Sequence, residues 1–338
     1  MNWQEIKKIA REKLKPYCRV CPICDGVACA GEVPGMGGVG TGSSFKANLE
    51  ALNRYKLNLS TIHDVRDPDT TVEIFNKKLA LPVMAAPITG TAYNMGGAIT
   101  EDIYCEEVIV GSTMAGTIGW TGDGADPLLY SSGIEAIRKN DGKGIPIIKP
   151  RQQQEIIKRI RQAEEVGALA VGVDIDGAGL VTMALRGQPV SPKSPKEIEE
   201  LVRATRLPFI LKGIMTIREA KIAYELGVSA IVVSNHGGRI LDHTAGVADV
   251  LPEITESLKG KIVIIADGGV RSGVDVLKLL ALGADAVLVG RPVVVAVVGG
   301  GREGLKLYFE NIKNELKQAM LLTGVASVKN VPREILRV

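Results

Sequence analysis

Apolar and polar positions repeat in blocks along most of the chain. From Leu81 onward, a short apolar run is followed by a small or polar turn and then by a charged segment with helical spacing. The apolar runs predict eight buried strands, at residues 82–86, 107–111, 145–149, 168–173, 208–211, 230–233, 262–266 and 286–289. The predicted intervening helices include residues 153–166, 217–226, 273–282 and 303–322. Eight strands alternating with helices predict an α/β fold, a single (β/α)8 TIM barrel over residues 81–338, with an open doubly wound sheet as the alternative.

The first 80 residues follow a different pattern. Residues 1–15 have the spacing of an amphipathic helix that Pro16 ends, and residues 44–55 predict a second helix. Between the two helices stand four cysteines, within residues 18–29, and a glycine-rich loop at residues 35–42. We therefore predict a helical, Cys-rich N-terminal extension over residues 1–80 that precedes the barrel.

Composition and charge narrow the class of protein. Hydrophobic residues make up 46% of the 338 positions and aromatic residues only 4%, which predicts an aliphatic core. A net charge of +3, with acidic residues interleaved among the basic ones, argues against a nucleic-acid-binding surface. The sequence has no apolar run of about 18 residues and no charged-then-apolar leader. We therefore expect a soluble, cytoplasmic protein that binds neither nucleic acid nor membrane.

One stretch carries most of the candidate chemistry. The predicted strand 230–233 leads into Ser234 and His236, and two glycines from Gly237 onward let the backbone turn sharply before Arg239. A titratable base beside a fixed cation is typical of a catalytic edge, although a structural histidine in a glycine-rich turn is the alternative on this stretch alone. The rest of the chain favours catalysis, because polar residues collect at the C-terminal ends of the predicted strands, where TIM barrels have their active sites.

The ends of the last two predicted strands indicate an anion site. Residues 267–271 form a glycine-rich turn before a helix, and Gly290 and Arg291 follow the final strand. Backbone N–H groups at such turns and at helix N-termini bind anions, and Arg271 and Arg291 can add bidentate contacts. The loops after the seventh and eighth strands are also the usual phosphate site of this fold. Tight-turn glycines beside surface arginines are the alternative.

These motifs resemble a known family. The sequence SNHGGRILD at residues 234–242, and DGGVRSG at residues 267–273 with Gly290 and Arg291, are similar to the FMN-dependent α-hydroxy-acid oxidases and dehydrogenases, the group of glycolate oxidase and lactate oxidase. The resemblance covers about residues 45–325. It implies that the protein binds FMN and oxidises an α-hydroxy acid to the 2-oxo acid by hydride transfer to the flavin.

The resemblance also implies roles for individual residues. His236 would be the base that takes the hydroxyl proton, Asp174 would orient it, and Arg239 would bind the substrate carboxylate. Lys212 would lie against the flavin pyrimidine edge. The implied FMN-binding residues are Pro87, Ile88, Thr89, Ser112, Lys149, Lys212, Ser234, Gly237, Asp267, Gly268, Gly269, Arg271, Gly290 and Arg291. The expected assembly is a homotetramer or larger.

The substrate side departs from the family pattern. Lys149 and Arg151 stand where the family has a glutamine and a tyrosine, and the usual second substrate arginine has no counterpart at its spacing. Arg186, in the same loop, is the candidate replacement, so we predict that Arg151 and Arg186 contact the substrate. Such cations suit a more anionic substrate, which leaves open a flavin-dependent isomerase or reductase like type 2 isopentenyl-diphosphate isomerase. A non-catalytic barrel that binds a phosphorylated metabolite is the third possibility.

The cysteine cluster is a second departure. Cys18, Cys21, Cys24 and Cys29 are separated by two, two and four residues, close to the spacing of ferredoxin-type iron–sulfur ligands. Zinc usually prefers two separated pairs, and disulfides are rare in cytoplasmic proteins. The alternatives are therefore an iron–sulfur cluster or other metal, and four reduced structural thiols. A cluster would make sense if electrons leave toward an electron-acceptor protein.

Overall fold

A computed structural model of the protein describes the backbone of residues 1–338 and every side chain except that of Val181. The helices are α1 (Trp3–Leu14), α2 (Ser43–Arg54), α3 (Thr91–Asn94), α4 (Glu101–Met114), α5 (Pro127–Lys139), α6 (Gln153–Glu165), α7 (Val181–Ala184), α8 (Pro195–Arg203), α9 (Ile217–Glu225), α10 (Val247–Leu258), α11 (Gly273–Ala281) and α12 (Arg291–Leu321). The strands are β1 (Lys56–Leu57), β2 (Val72–Ile74), β3 (Lys77–Leu79), β4 (Val83–Ala85), β5 (Gly119–Thr121), β6 (Gly144–Ile148), β7 (Val171–Asp174), β8 (Phe209–Ile214), β9 (Ala230–Ser234), β10 (Val263–Asp267), β11 (Ala286–Val289) and β12 (Leu336–Arg337).

Strands β4 to β11 form the closed parallel barrel that the sequence predicts. They follow one another around the barrel in chain order, and β11 pairs with β4 to close it. Their side chains are almost all buried on both faces, because helices cover the outside and side chains fill the inside. The TIM barrel is thus confirmed, and the alternative of an open doubly wound sheet is wrong.

The predicted second strand is wrong. Residues 107–111 lie inside α4, and the second barrel strand is the short β5, Gly119–Thr121. The C-terminal half of α4 is apolar and β-branched because it is packed between α5 and α12, and it buries Val108 and Ile109. A short apolar run of this kind has no periodicity that separates helix from strand.

The N-terminal residues pack directly on the barrel. Asn2 caps α1 through a reciprocal capping box with Glu5, and the buried face of α1 packs against α12. Strand β1 pairs with β12 near the C-terminus, while β2 and β3 form a separate hairpin. The proposed division of the chain at residues 80 and 81 stays a prediction.

The last long helix consists of two pieces. Gly301 has non-helical angles (φ 58°, ψ −150°), so the helix that begins at Arg291 breaks there and resumes toward Leu321. The predicted helix 303–322 corresponds to the second piece. The first piece begins directly after β11 and therefore presents its N-terminus at the C-terminal mouth of the barrel. None of the described helices is both long and apolar enough to cross a membrane.

The register of the strands brings polar residues to one level at this mouth. Asp174 of β7 stands opposite Lys212 of β8, and Ser234 of β9 stands opposite Asp267 of β10. The pairing of β8 with β9 contains an irregularity between Lys212 and Ile214, at Gly213 (φ +100°). Parallel strands in register therefore place two acids, a lysine and a serine side by side.

Candidate active site

A cavity of about 120 Å³ opens at the C-terminal ends of the barrel strands. Fourteen of the predicted site residues line it: Pro87, Ile88, Thr89, Lys149, Lys212, His236, Gly237, Arg239, Asp267, Gly268, Gly269, Arg271, Gly290 and Arg291. They come from the ends of six different barrel strands, so only the closed barrel brings them together.

His236 has a strained backbone conformation, and hydrogen bonds fix both its backbone and its ring. Its φ of 57° is in the left-handed region, which is costly for a residue other than glycine and is concentrated at functional sites. Its backbone N–H donates to Ser234 Oγ (3.0 Å). Its Nδ1 lies 3.1 Å from Asp176 Oδ1 and 3.5 Å from Asp174 Oδ1. A hydrogen on Nδ1 therefore has a carboxylate acceptor, which leaves Nε2 as the ring atom able to take a proton.

The nearer carboxylate is Asp176, whereas the family resemblance implies this role for Asp174. Asp176 lies in a short 3₁₀ turn directly after β7. A Cβ atom at Gly213 would lie 2.5 Å from Asp176 Cγ, so the glycine irregularity in β8 makes room for this side chain. Burial raises the pKa of Asp176, and the nearby charge of His236 opposes that shift.

Asp174 instead anchors two lysines beneath the histidine. Lys149 Nζ donates to Asp174 Oδ2 (2.6 Å), and Lys212 Nζ lies 3.4 Å from Asp174 Oδ1. Burial disfavours the ionised form of Asp174, but His236 and the two lysines hold its pKa well below the ordinary range. Lys212 also lies 3.3 Å from Asp267 Oδ2. Burial alone would lower the pKa of Lys212, yet Asp174 and Asp267 raise it, so this buried lysine stays charged.

Three arginines at the mouth lack carboxylate partners. Among the described side chains, Arg239, Arg271 and Arg291 form no ion pair with an aspartate or glutamate. Burial lowers the pKa of Arg239 to about 10. Burial, with a contribution from the charges of Arg239 and Arg271, lowers the pKa of Arg291 to about 9. Half-buried guanidinium groups without counterions indicate that the cavity binds anionic groups.

Residues 35–37 of the glycine-rich loop, residues 35–42, contact two of these arginines, Arg239 and Arg291. Arg239 Nη1 donates to the carbonyl oxygens of Gly35 and Gly37, and Arg291 Nε donates to Met36 O (2.7 Å). A Cβ at Gly37 would lie 1.9 Å from the carbonyl oxygen of Cys29, so the backbone approach here requires glycine. The loop supplies backbone acceptors and leaves the positive charge uncancelled.

Five predicted residues do not line the cavity. Ser112 is wrong as a strand-end residue, because it is buried within α4. Asp174 and Ser234 lie just beneath the cavity; Ser234 Oγ donates to Asp267 Oδ2 (3.0 Å). Arg151 is neutralised by the fully buried Asp123, at 2.8 Å (Nε to Oδ2) and 3.1 Å (Nη2 to Oδ1).

Arg186, the fifth, is exposed at the rim of the site. Its guanidinium lies 5.4 Å from the centre of the Tyr93 ring. The structure therefore brings neither Arg151 nor Arg186 into direct contact with the cavity, and their predicted substrate contacts stay predictions.

Sequence reasoning missed four polar residues of the lining: Tyr93, Asn94, Asp123 and Thr182. Burial raises the pKa of Tyr93 to about 12, so its hydroxyl remains a hydrogen-bond donor. Asn94 Oδ1 accepts from Arg239 Nη2 (2.9 Å). Asp123 follows β5, so the misassigned second strand concealed it, whereas Tyr93 and Asn94 belong to the short α3 that has no strand-end signal.

The four cysteines of the N-terminal region lie outside this cavity. Cys18, Cys21, Cys24 and Cys29 line a second cavity, and Arg271 and Arg291 belong to the walls of both. The cysteines are half-buried free thiols.

Comparison with known proteins places the chain in a family. A family model described as FMN-dependent dehydrogenase matches residues 35–193 and 181–338. The chain is 40% identical to a 2-hydroxyacid oxidase of Dictyostelium discoideum, over 86% of this chain and 81% of the relative. It is 32% identical to 4-hydroxymandelate oxidase of Amycolatopsis orientalis, over 86% of this chain and 89% of the relative. A crystal structure of mandelate oxidase superimposes with a TM-score of 0.82 at 28% identity, covering 99% of this chain and 97% of the other.

Proposed function

The chain belongs to the family of FMN-dependent dehydrogenases, and from that premise we propose that it oxidises an α-hydroxy acid to the 2-oxo acid with His236 as the base. One observation carries the proposal. A histidine whose Nδ1 faces Asp176 (3.1 Å) lines the same cavity as Arg239, a cation without a carboxylate partner. A base for the hydroxyl proton and a binding group for the carboxylate are the two functions that an α-hydroxy acid requires.

The residues at the mouth fit FMN. The phosphate would be held by Arg271 and Arg291, with backbone N–H groups from the turn at Gly268 and Gly269 and from the N-terminus of α12. Lys212 supplies a buried positive charge near the floor of the cavity. FMN, when bound, accepts the hydride from the substrate carbon.

The protein side chains accept the proton and orient the substrate. His236 Nε2 takes the hydroxyl proton while Nδ1–H stays bound to Asp176, so the positive charge that develops on the ring lies against two carboxylates, Asp176 and Asp174. Arg239 binds the substrate carboxylate and thereby fixes which carbon faces the flavin. The hydroxyl of Tyr93 is a further donor on the substrate side.

The isomerase alternative receives no support from the relatives described above, which are named as oxidases. Two of the three cations that suggested a more anionic substrate are also engaged within the protein. Lys149 is paired with Asp174, and Arg151 is paired with Asp123. These pairs leave Arg239 as the principal free cation for one substrate carboxylate, which favours a simple hydroxy acid.

Anaerobic reduction of the bound flavin tests the proposal. Flavin-loaded protein is mixed with glycolate, lactate and mandelate without oxygen, and bleaching of the flavin absorbance and formation of the 2-oxo acid are measured. We expect bleaching with at least one of them. His236→Asn should retain flavin but lower the reduction rate about 100- to 10,000-fold, the usual loss for a general base.

His243→Asn is the matched control, because His243 is 73% exposed and follows the same motif. Its reduction rate should equal that of the unaltered protein. Absence of bleaching with every hydroxy acid would refute the proposed activity, and an unchanged rate in His236→Asn would remove this histidine from the reaction.

A further inference from the structure

The four N-terminal cysteines converge on one cavity that the proposed oxidation does not use. This second cavity has a volume of about 390 Å³. Cys18, Cys21, Cys24 and Cys29 all contribute to its wall, whereas the fifth cysteine, Cys105, is buried in α4. Four thiols on one cavity are unusual packing for a chain with only five cysteines in 338 residues.

The segment that carries the cysteines lacks an internal core. In the described backbone, residues 15–42 form neither a helix nor a regular strand between α1 and α2. Within it Val20 and Met36 are buried, but Ile23 and Val27 are 72% and 63% exposed. Ordered connections longer than about 15 residues without secondary structure are uncommon. A bound metal centre would organise such a segment, as metals do in small domains with little core.

Hydrogen-bond donors and positive charge are directed at the sulfur atoms. The backbone N–H of Val20 donates to Cys18 Sγ (3.4 Å), and Arg271 Nη2 lies 3.6 Å from Cys24 Sγ. Arg291 also lines the cavity. Donors to ligand sulfurs and nearby cations stabilise the negative charge of a thiolate-bound centre.

The spacing of the sulfur atoms separates the candidate metals. Four sulfurs at about 2.3 Å from one zinc ion lie about 3.8 Å from one another. In the described part of the chain, the only three-residue group whose ligand atoms approach within 4.8 Å is Asp174, Asp176 and His236, so no three of the cysteines do so. A cuboidal iron–sulfur core holds its thiolates farther apart than a single ion does. The four thiols as placed do not match a single zinc ion, and the cavity of about 390 Å³ has room for a larger group.

We propose that Cys18, Cys21, Cys24 and Cys29 bind a [4Fe–4S] cluster, which Arg271 and Arg291 separate from the cavity that contains His236. The spacing of two, two and four residues is close to the ferredoxin-type run of two, two and three. The assignment concerns these thiols alone and is independent of the substrate.

Anaerobic purification of the full chain, followed by reconstitution with ferrous iron and sulfide, tests this assignment. Iron, acid-labile sulfide, zinc and FMN are quantified per chain, and the dithionite-reduced protein is examined by electron paramagnetic resonance. We expect about four irons and about four sulfides per chain, with the signal of a reduced [4Fe–4S] centre. Cys21→Ser should lose most of the iron, and Cys105→Ser, the matched control, should keep it.

FMN content and the melting temperature report whether each variant has folded, so loss of iron from a folded Cys21→Ser protein supports the assignment. Less than one iron per chain after reconstitution would overturn it. About one zinc per chain in the protein as purified, or equal loss of iron in Cys21→Ser and Cys105→Ser, would overturn it as well. These measurements do not require catalytic turnover. Their outcome therefore does not depend on whether the proposed oxidation occurs.

Discussion

Asp174 and Asp176 are two positions apart but have different partners. Asp174 holds Lys149 and Lys212, whereas Asp176 makes the shorter contact to His236 Nδ1. A sequence motif identifies the strand end, but it does not say which of two acids reaches the ring. That choice depends on Gly213, on the neighbouring strand, which leaves space for one of them. The division of roles between the two acids can be tested.

We expect Asp176→Asn to lower kcat by about 10- to 1,000-fold, somewhat less than loss of the base itself, because the amide cannot stabilise the charged ring. FMN content should not change.

The pH profile distinguishes positioning from general damage. Burial raises the pKa of Asp176, so its ionised form accumulates only as pH rises through this elevated value, and activity that needs the carboxylate falls below it. In Asp176→Asn this acid limb should disappear. An unaltered profile with normal kcat would leave Asp174 as the effective partner.

Among the secondary-structure elements, the irregularity in β8 determines where the side chain of Asp176 can lie. Gly213 has a φ of +100°, and an added Cβ would lie 2.5 Å from Asp176 Cγ. We expect Gly213→Ala to destabilise the protein by about 1–3 kcal/mol through backbone strain, and also to lower kcat because Asp176 must move. Gly260→Ala is the control, since Gly260 also has a positive φ (+78°) but its Cβ would meet no atom within 4 Å. Denaturant unfolding and steady-state kinetics measure the two effects. If both variants have the same kcat, the Gly213 irregularity does not position the catalytic acid.

Seven of the eight barrel strands could be predicted from the sequence, and one could not. Most strand predictions agree with the structure because buried parallel strands are continuous apolar runs, as in β9 and β11. The exception arose where α4 is equally apolar and β5 has only three residues. That single mistake placed Ser112 at the site and hid Asp123. The N-terminal loop could not be predicted either, because its contacts to Arg239 and Arg291 join positions about 200 residues apart or more.

At the scale of the whole molecule, three barrel arginines and the N-terminal loop form one electrostatic unit. Residues 35–37 offer only backbone carbonyls to Arg239 and Arg291, and Cys24 offers its carbonyl to Arg271. Positive charge is therefore concentrated between the two cavities. Both proposed occupants of these cavities, a phosphate-bearing flavin and a thiolate-bound cluster, are anionic, so each would relieve the same desolvation cost. The expected homotetramer stays a prediction.

This concentration of charge predicts that flavin stabilises the entire fold. Burial lowers the pKa of Arg291 from above 12 to about 9, so at neutral pH the charged guanidinium costs the flavin-free fold stability that the unfolded chain does not lose. An anion removes that cost.

Free FMN at 100 times its Kd should stabilise the protein by about 2.7 kcal/mol, seen as a rise in Tm of flavin-stripped protein. The double variant Arg271→Ala/Arg291→Ala should show little rise at any pH. Arg203→Ala, at a surface arginine of α8 that is 75% exposed, should behave like the unaltered protein. A full rise in Tm in the double variant would mean that the FMN phosphate binds elsewhere.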